Sequence, residues 1–168
     1  MNLGELRTKA HENAKERGFW ENPRAVGTMI ALLHSELSEA LEADRSNDSG
    51  QVAEELADCA IRFFDMSAGL KIWIPQDKKT VTEIMLESDS GNAEKMEFGE
   101  MVSVMHMVLS AAFHHYVSGQ EDRFNEALIF FFLVLCGYCA YLDIDLEEAI
   151  VKKMFFNKSR PKLHGKRY

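Results

Sequence analysis

The sequence lacks a segment that suggests export or a membrane span. The chain of 168 residues starts with a charged, amphipathic stretch that does not resemble a signal peptide. The apolar run at residues 127–142 is shorter than the ~20 residues that cross a bilayer. We interpret this run as a central core helix and expect no membrane partner.

Cysteine is also scarce. The three cysteines, Cys59, Cys136 and Cys139, all have apolar neighbours. The spacing of the last two resembles half a zinc site or a redox pair, but no second pair exists and the surrounding segment is rich in Phe and Leu. This pattern favours a packing role for the cysteines over a metal-binding or redox role. It predicts reduced thiols in a cytoplasmic protein.

Positive charge is in deficit over most of the chain. The net charge of −8 argues against a protein that coats nucleic acid. Residues 152–168, however, hold seven basic residues and no acid. Such a tail could dock onto its own acidic body, bind polyanions, or bring cations to an anionic substrate held at an acidic cluster. The third option fits best with the motifs described below.

An internal repeat occurs at an offset of 72 residues. Residues 27–41 align without a gap with residues 99–113, and residues 54–64 align with residues 126–136. About a quarter of the paired positions are identical, which is typical of a diverged duplication. The repeat predicts two copies of a helical hairpin.

Four acids of the first copy are missing from the second. They follow the pattern E-x-x-E, fifteen intervening residues, E-x-x-D, and they are Glu36, Glu39, Glu55 and Asp58. The second copy has apolar residues there, namely Val108, Ala111, Ala127 and Phe130. If the copies share a backbone, these positions face the interior. We therefore expect the acids to be buried or half-buried, where clustered carboxylates need a cation. The alternative is that both pairs are ordinary solvated helix faces.

The expected fold is all-α: a four-helix bundle of two duplicated hairpins with additional N- and C-terminal helices. Apolar periodicity and turn residues predict helices over about residues 3–17, 24–45, 51–69, 93–117, 122–142 and 145–157, with a short helix near 81–87. Both acid pairs lie at similar distances from the first turn, so they should face each other across adjacent helices. Oxygen ligands suit Mg²⁺ or Mn²⁺ better than zinc. A di-iron site is disfavoured because neither pair has a histidine at i+3.

Three segments together resemble a known family. They are 34-HSELSEALEADR-45, 54-EELADCAIRFFD-65 and 145-DLEEAIVKKMFFNKSRPKLHGKRY-168. They are similar to the MazG-like branch of the all-α nucleoside triphosphate pyrophosphatases, which has dimeric dUTPase-like and dCTP pyrophosphatase-like relatives. The resemblance covers the first 70 residues and the last 24.

The resemblance implies a cytoplasmic hydrolase that cleaves a nucleoside triphosphate, deoxy or non-standard, to the monophosphate and pyrophosphate. Mg²⁺ would be held by the catalytic acids Glu36, Glu39, Glu55 and Asp58, with Mn²⁺ as a possible substitute. The triphosphate contacts would be Lys153, Asn157 and Arg160. We also hypothesise that Glu39 acts as the base and that Trp20 and His34 contact the nucleobase.

In this scheme residues 1–168 form one MazG-like domain. It comprises an active hairpin at about 24–70, a connector at 71–92, a degenerate hairpin at about 93–144 and a phosphate-binding segment at 145–168. Short members of the family lack the degenerate hairpin, so quaternary structure is open, with a homodimer favoured over a monomer.

Two other functions stay open: a non-catalytic nucleotide-binding or interaction module, and a phosphoribosyl-ATP pyrophosphohydrolase-like enzyme. For the hydrolase, a role in housecleaning of damaged nucleotides and a role in balancing nucleotide pools are both open.

Overall fold

The computed structural model describes residues 1–22, 24–88, 96–161 and 163. Within these ranges every regular element is a helix, apart from an isolated bridge between Asn2 and Thr80. The all-α prediction is confirmed. The helices are α1 (Leu3–Glu16), α2 (Val26–Arg45), α3 (Ser49–Gly69), α4 (Val81–Glu87), α5 (Phe98–Val117), α6 (Glu121–Tyr141) and α7 (Leu146–Lys158).

Local capping explains where several helices begin. The Asn2 side chain accepts from the Glu5 N–H, and the Glu5 side chain accepts in return from the Asn2 N–H. Asp48 accepts from the Gln51 N–H at the start of α3. Such caps satisfy N–H groups that have no partner within the helix. They bring the observed boundaries close to those expected from the sequence.

Helix α5 starts later than predicted. The expected start at residue 93 lies outside the described residues, as do all of residues 89–95 of the connector and second hairpin. In the described part α5 begins at Phe98, where the Glu100 carboxylate accepts from the Glu97 N–H. The short helix expected near 81–87 is present as α4.

Helix α3 is the centre of the packing. It contacts α2, α1, α7 and α6, and α2 also contacts α5. The two hairpins, α2–α3 and α5–α6, therefore pack on each other as well as internally. At their junction the rings of Phe63 and Phe132 stack with centroids 4.8 Å apart. The site described below lies where α3 packs against α1, α2 and α7.

Two residues at equivalent repeat positions touch each other. His34 on α2 and His106 on α5 are separated by the offset of 72, and their Nδ1 atoms lie 2.6 Å apart. Their rings stack with centroids 4.9 Å apart. An approximate two-fold relation between the hairpins produces contacts of this kind between equivalent residues.

Helix α6 has the length and apolar composition of a membrane span, and half of the relevant window is buried inside the protein. Its buried residues include Phe131, Phe132 and Leu135, which belong to the main core. This burial fits the predicted core role, since the core helix of a globular protein passes the same composition test.

Candidate metal and phosphate site

Three of the four predicted acids meet where α2 packs against α3. Glu36 and Glu39 lie one turn apart on α2, and Glu55 approaches them from α3. One carboxylate oxygen from each lies within 4.8 Å of the others. Glu36 and Glu55 are buried, while Glu39 is exposed and accepts from the Ser35 hydroxyl at 2.9 Å. The expected burial is confirmed for Glu36 and Glu55 and is wrong for Glu39.

Burial dominates the electrostatics of this cluster. It raises the pKa of Glu36 to about 7, although the neighbouring Arg62 guanidinium acts in the opposite direction. It also raises the pKa of Glu55, whose Oε1 lies 3.5 Å from Gln51 Nε2. Carboxylates held in this way are stabilised by any cation that reaches them.

Asp58 lies beside the cluster and is paired with a cation from α7. Lys153 Nζ is 3.2 Å from Asp58 Oδ2 and 3.1 Å from Glu54 Oε2. Burial raises the pKa of Asp58, against the effects of Lys153 and Arg160. Burial opposes the charge of Lys153, but Asp58 and Glu54 outweigh it and raise the lysine pKa. Helix α7 therefore carries the predicted basic residues to the predicted acids.

Four polar side chains form a stripe along one face of α3: Glu55, Asp58, Arg62 and Asp65. Their spacing of three or four residues places them on the same side of the helix. Arg62 connects the stripe to α2, because its Nε donates to Glu36 Oε1 at 2.5 Å. At the far end, Asp65 Oδ1 accepts from Trp20 Nε1 at 2.7 Å and contacts His11 Nδ1 at 2.8 Å.

A cleft opens next to the stripe, between α1, α3 and the end of α7. Three arginines line it, Arg24, Arg62 and Arg160, together with the carboxylates of Asp58 and Asp65. Phe19 forms part of the wall, and the Arg24 guanidinium lies 5.1 Å from the centroid of its ring. The arginines give this cleft an excess of positive groups directly beside the acidic cluster.

Two buried asparagines also line the cleft. Asn13 of α1 is 6% exposed and Asn157 of α7 is 5% exposed. The Oδ1 atom of each is buried without a hydrogen-bond partner among the described residues. Buried polar atoms are nearly always paired in folded proteins, by protein, water or ligand. Asn157 was predicted as a phosphate contact, and the structure places it in the wall of this cleft.

The proposed base contacts are placed differently. The Trp20 indole lies against Gly69, where a Cβ atom would come within 2.1 Å of the ring. Its Nε1 is occupied by Asp65, and the neighbouring Phe19 lines the cleft instead. His34 packs against His106, on the other side of α2 from Glu36, since residues two apart on a helix point nearly opposite ways. A base-binding role for Trp20 or His34 stays a prediction without support from this placement.

The apolar counterparts of the acids differ in burial. Val108 is buried like Glu36, but Ala111 is exposed and Phe130 is 54% exposed. Inferring interior acids from apolar counterparts therefore fails at Ala111 and Phe130. At the Asp58 and Phe130 positions the two hairpins differ because α7 packs on α3 and covers Asp58 through Lys153.

The residues present fit a hard divalent cation. The donors of the cluster are carboxylate oxygens, which Mg²⁺ and Mn²⁺ prefer. Glu36, Glu39 and Glu55 are close enough for one ion to bind all three. The raised pKa values of Glu36 and Glu55 mark sites where negative charge is poorly compensated by the protein alone. Asp58 adjoins this set but is engaged by Lys153.

Several residues of the site were not expected from the sequence. Arg62 follows Asp58 by one helical turn, and that i, i+4 spacing is the signal that could have identified it. Asn13 and Arg24 belong to the N-terminal segment, where no local pattern indicates that they approach α3 and α7. The predicted segment 145–168 also includes residues 162 and 164–168, which lie outside the described residues.

Comparison with family models, with curated proteins and with solved structures finds no match to this chain. The resemblance to MazG-like enzymes therefore stays a prediction from the quoted motifs.

Proposed function

We propose that the protein is a Mg²⁺-dependent nucleoside triphosphate pyrophosphohydrolase. It would convert a deoxy or non-standard nucleoside triphosphate to the monophosphate and pyrophosphate. One observation carries the proposal: carboxylates suited to a divalent cation lie directly beside Lys153 and Arg160, which are suited to phosphate. A polyphosphate chain bound to a divalent cation presents both types of charge at once.

Each group has a defined task in this reaction. Glu36, Glu39 and Glu55 would hold the cation, which when bound would supply positive charge for the phosphate oxygens and a more acidic water. Lys153 and Arg160 hold the phosphate chain, and the guanidinium can do so through two parallel hydrogen bonds. Glu39 is the exposed acid of the cluster, which makes it the carboxylate that can accept a proton from water and pass it to solvent.

A substrate panel with a matched pair of variants tests the proposal. The purified protein is incubated with Mg²⁺ and canonical, deoxy and oxidised nucleoside triphosphates, and with phosphoribosyl-ATP. Release of monophosphate and of pyrophosphate is measured for the wild type, for Glu36→Gln and for Glu126→Gln. Glu126 is an exposed acid of the second hairpin and serves as the control.

We expect turnover of at least one nucleotide that requires Mg²⁺, is lost in Glu36→Gln and is kept in Glu126→Gln. Release of orthophosphate in place of pyrophosphate would contradict the proposed cleavage position. Binding of nucleotides without any turnover would favour the non-catalytic module. Cleavage confined to phosphoribosyl-ATP would identify the alternative enzyme.

A further inference from the structure

The cleft beside α3 contains more positive than negative groups that are available to a ligand. Its carboxylates already have partners within the protein: Asp58 pairs with Lys153, and Asp65 accepts from Trp20 and contacts His11. Its guanidinium groups have five donors each. Arg24, for example, gives one hydrogen bond to the Phe19 carbonyl at 3.1 Å. The balance of available charges in the cleft therefore favours binding of an anion.

The unpaired asparagines are a second and independent sign of a ligand. Asn13 and Asn157 come from different helices, are both at least nine-tenths buried, and line the same cleft. A half-turn of a terminal amide presents either its oxygen or its NH₂ group to a ligand. The unpaired atoms among the described residues are the two Oδ1 acceptors, and after such a half-turn the NH₂ groups would take their places and could donate to an anion in the cleft.

Arg62 belongs to the acidic cluster and to the cleft at once. Its Nε is bonded to Glu36, and its side chain also lines the cleft with Arg24 and Arg160. A divalent cation held by the carboxylates would compete with Arg62 for the Glu36 carboxylate. A guanidinium displaced in this way would be available to an anion in the cleft.

We propose that this cleft binds the phosphate chain of the substrate, with Arg24 and Arg62 as phosphate ligands in addition to Arg160, and that Arg62 exchanges Glu36 for phosphate when the divalent cation binds. The inference depends on the proposed function for the identity of the ligand. It assigns to the ligand a definite chemical class, a phosphoanhydride chain that chelates a divalent cation.

Binding measurements test this without turnover. Imidodiphosphate, a pyrophosphate analogue with a P–N–P bridge, is titrated calorimetrically into the full-length protein in the presence of Mg²⁺. The variants are Arg62→Gln, Arg62→Lys and Arg24→Gln. Arg45→Gln is the control, because Arg45 is an exposed arginine that pairs with Glu42 in the last turn of α2. In a second titration, Mn²⁺ alone is followed by electron paramagnetic resonance.

We expect Arg62→Gln and Arg24→Gln each to weaken imidodiphosphate binding about tenfold, the usual effect of losing a charged hydrogen bond. Arg45→Gln should bind like the wild type. Mn²⁺ alone should bind Arg62→Gln about threefold more tightly than the wild type, since the competing cation on Glu36 is gone. Arg62→Lys keeps a positive charge and should lie between wild type and Arg62→Gln in both titrations.

Two results would overturn the inference. Wild-type affinity of both glutamine variants for imidodiphosphate would show that the cleft does not bind phosphate. Equal weakening of Mn²⁺ and imidodiphosphate in Arg62→Gln would show that Arg62 only supports the cluster. Among the described contacts Arg24 makes no ion pair with Glu36, Glu39 or Glu55, so its variant tests the cleft even if Arg62→Gln folds poorly. Absence of nucleotide turnover combined with the expected binding losses would refute the proposed function and keep the phosphate cleft.

Discussion

The first hairpin, α2–α3, and the second, α5–α6, differ in chemistry far more than in shape. Their helices have the same lengths, 20 residues in α2 and α5 and 21 residues in α3 and α6. His34 and His106 touch at equivalent positions. The polar stripe of α3, however, corresponds on α6 to Ala127, Phe130, Val134 and Gly137. The helical frame alone therefore does not determine where charge is tolerated.

The flanking helices explain this difference. Helices α1 and α7 both pack on α3, and they supply Asn13, Lys153 and Asn157 to the site. On the second hairpin, α4 packs on α6. Charged residues on α3 are thus matched by polar residues from a second layer, and the comparison can be tested by moving charge between the two hairpins.

The largest effect is expected from making the first hairpin resemble the second at one position. Glu55→Ala installs the residue found at position 127. We expect nucleotide turnover to fall about a thousandfold, because a bound metal ion contributes several kcal/mol to such reactions. Steady-state pyrophosphate release measures the effect, with Glu126→Ala as the matched control. Turnover within tenfold of the wild type would exclude Glu55 as a ligand.

The reverse transfer should destabilise the fold. Val108→Glu places in the second hairpin the acid found at Glu36, but position 134 has a valine where the first hairpin has Arg62. A buried carboxylate without a partner costs roughly 3 to 5 kcal/mol of unfolding free energy. Urea denaturation measures the loss, and Ala111→Glu at an exposed position is the control. Equal stability of the two variants would mean that the second hairpin accepts buried charge.

The metal-free protein should lose stability as the pH rises. Burial raises the pKa of Glu36 from 4.5 to about 7, so the folded state binds this proton more tightly than the unfolded state. The associated stability is fully present below pH 4.5 and is lost as the pH rises through 7. We expect a loss of up to about 3 kcal/mol. Urea denaturation at several pH values in EDTA measures it, and Glu36→Gln should flatten the profile while Glu126→Gln should not.

The smallest effect is expected at a pair of equivalent glycines. A Cβ atom at Gly99 would lie 3.8 Å from Leu41 Cδ1, an ordinary contact, whereas one at Gly27 would lie 2.9 Å from Phe113 Cε2. Gly99→Ala should therefore stabilise the protein by about 0.5 to 1 kcal/mol through helix propensity. Gly27→Ala should gain less, because the Phe113 ring must move. Thermal unfolding compares the two, and equal gains would contradict the packing argument.

The sequence predicted the helices well because their signals are local. Apolar periodicity and clusters of turn residues depend on residues close in the chain. The observed boundaries of α1, α3 and α4 lie within two residues of those expected. The acid cluster was predictable for a related reason, since a duplication provides an internal comparison. The proximity of Lys153 to Asp58 could be predicted only from the family resemblance.

The cleft was not predictable, because it depends on the mutual placement of helices far apart in the sequence. Phe19 lines the cleft and Trp20 does not, although they are adjacent. That choice follows from Gly69, whose missing side chain leaves room for the indole. The local sequence pattern at residues 19–20 does not indicate this contact.

The polar stripe of α3 has a consequence for how the protein can change over generations. From Glu55 to Asp65 it covers about 15 Å of one helix face, and each residue advances the helix by about 100°. A single residue inserted between Asp58 and Arg62 would rotate Arg62 and Asp65 away from the first two acids while leaving a continuous helix. The same insertion would rotate the buried side chains of Phe63 and Phe64 out of the core. The site and the core therefore share one register along α3, and neither can shift by a residue without the other.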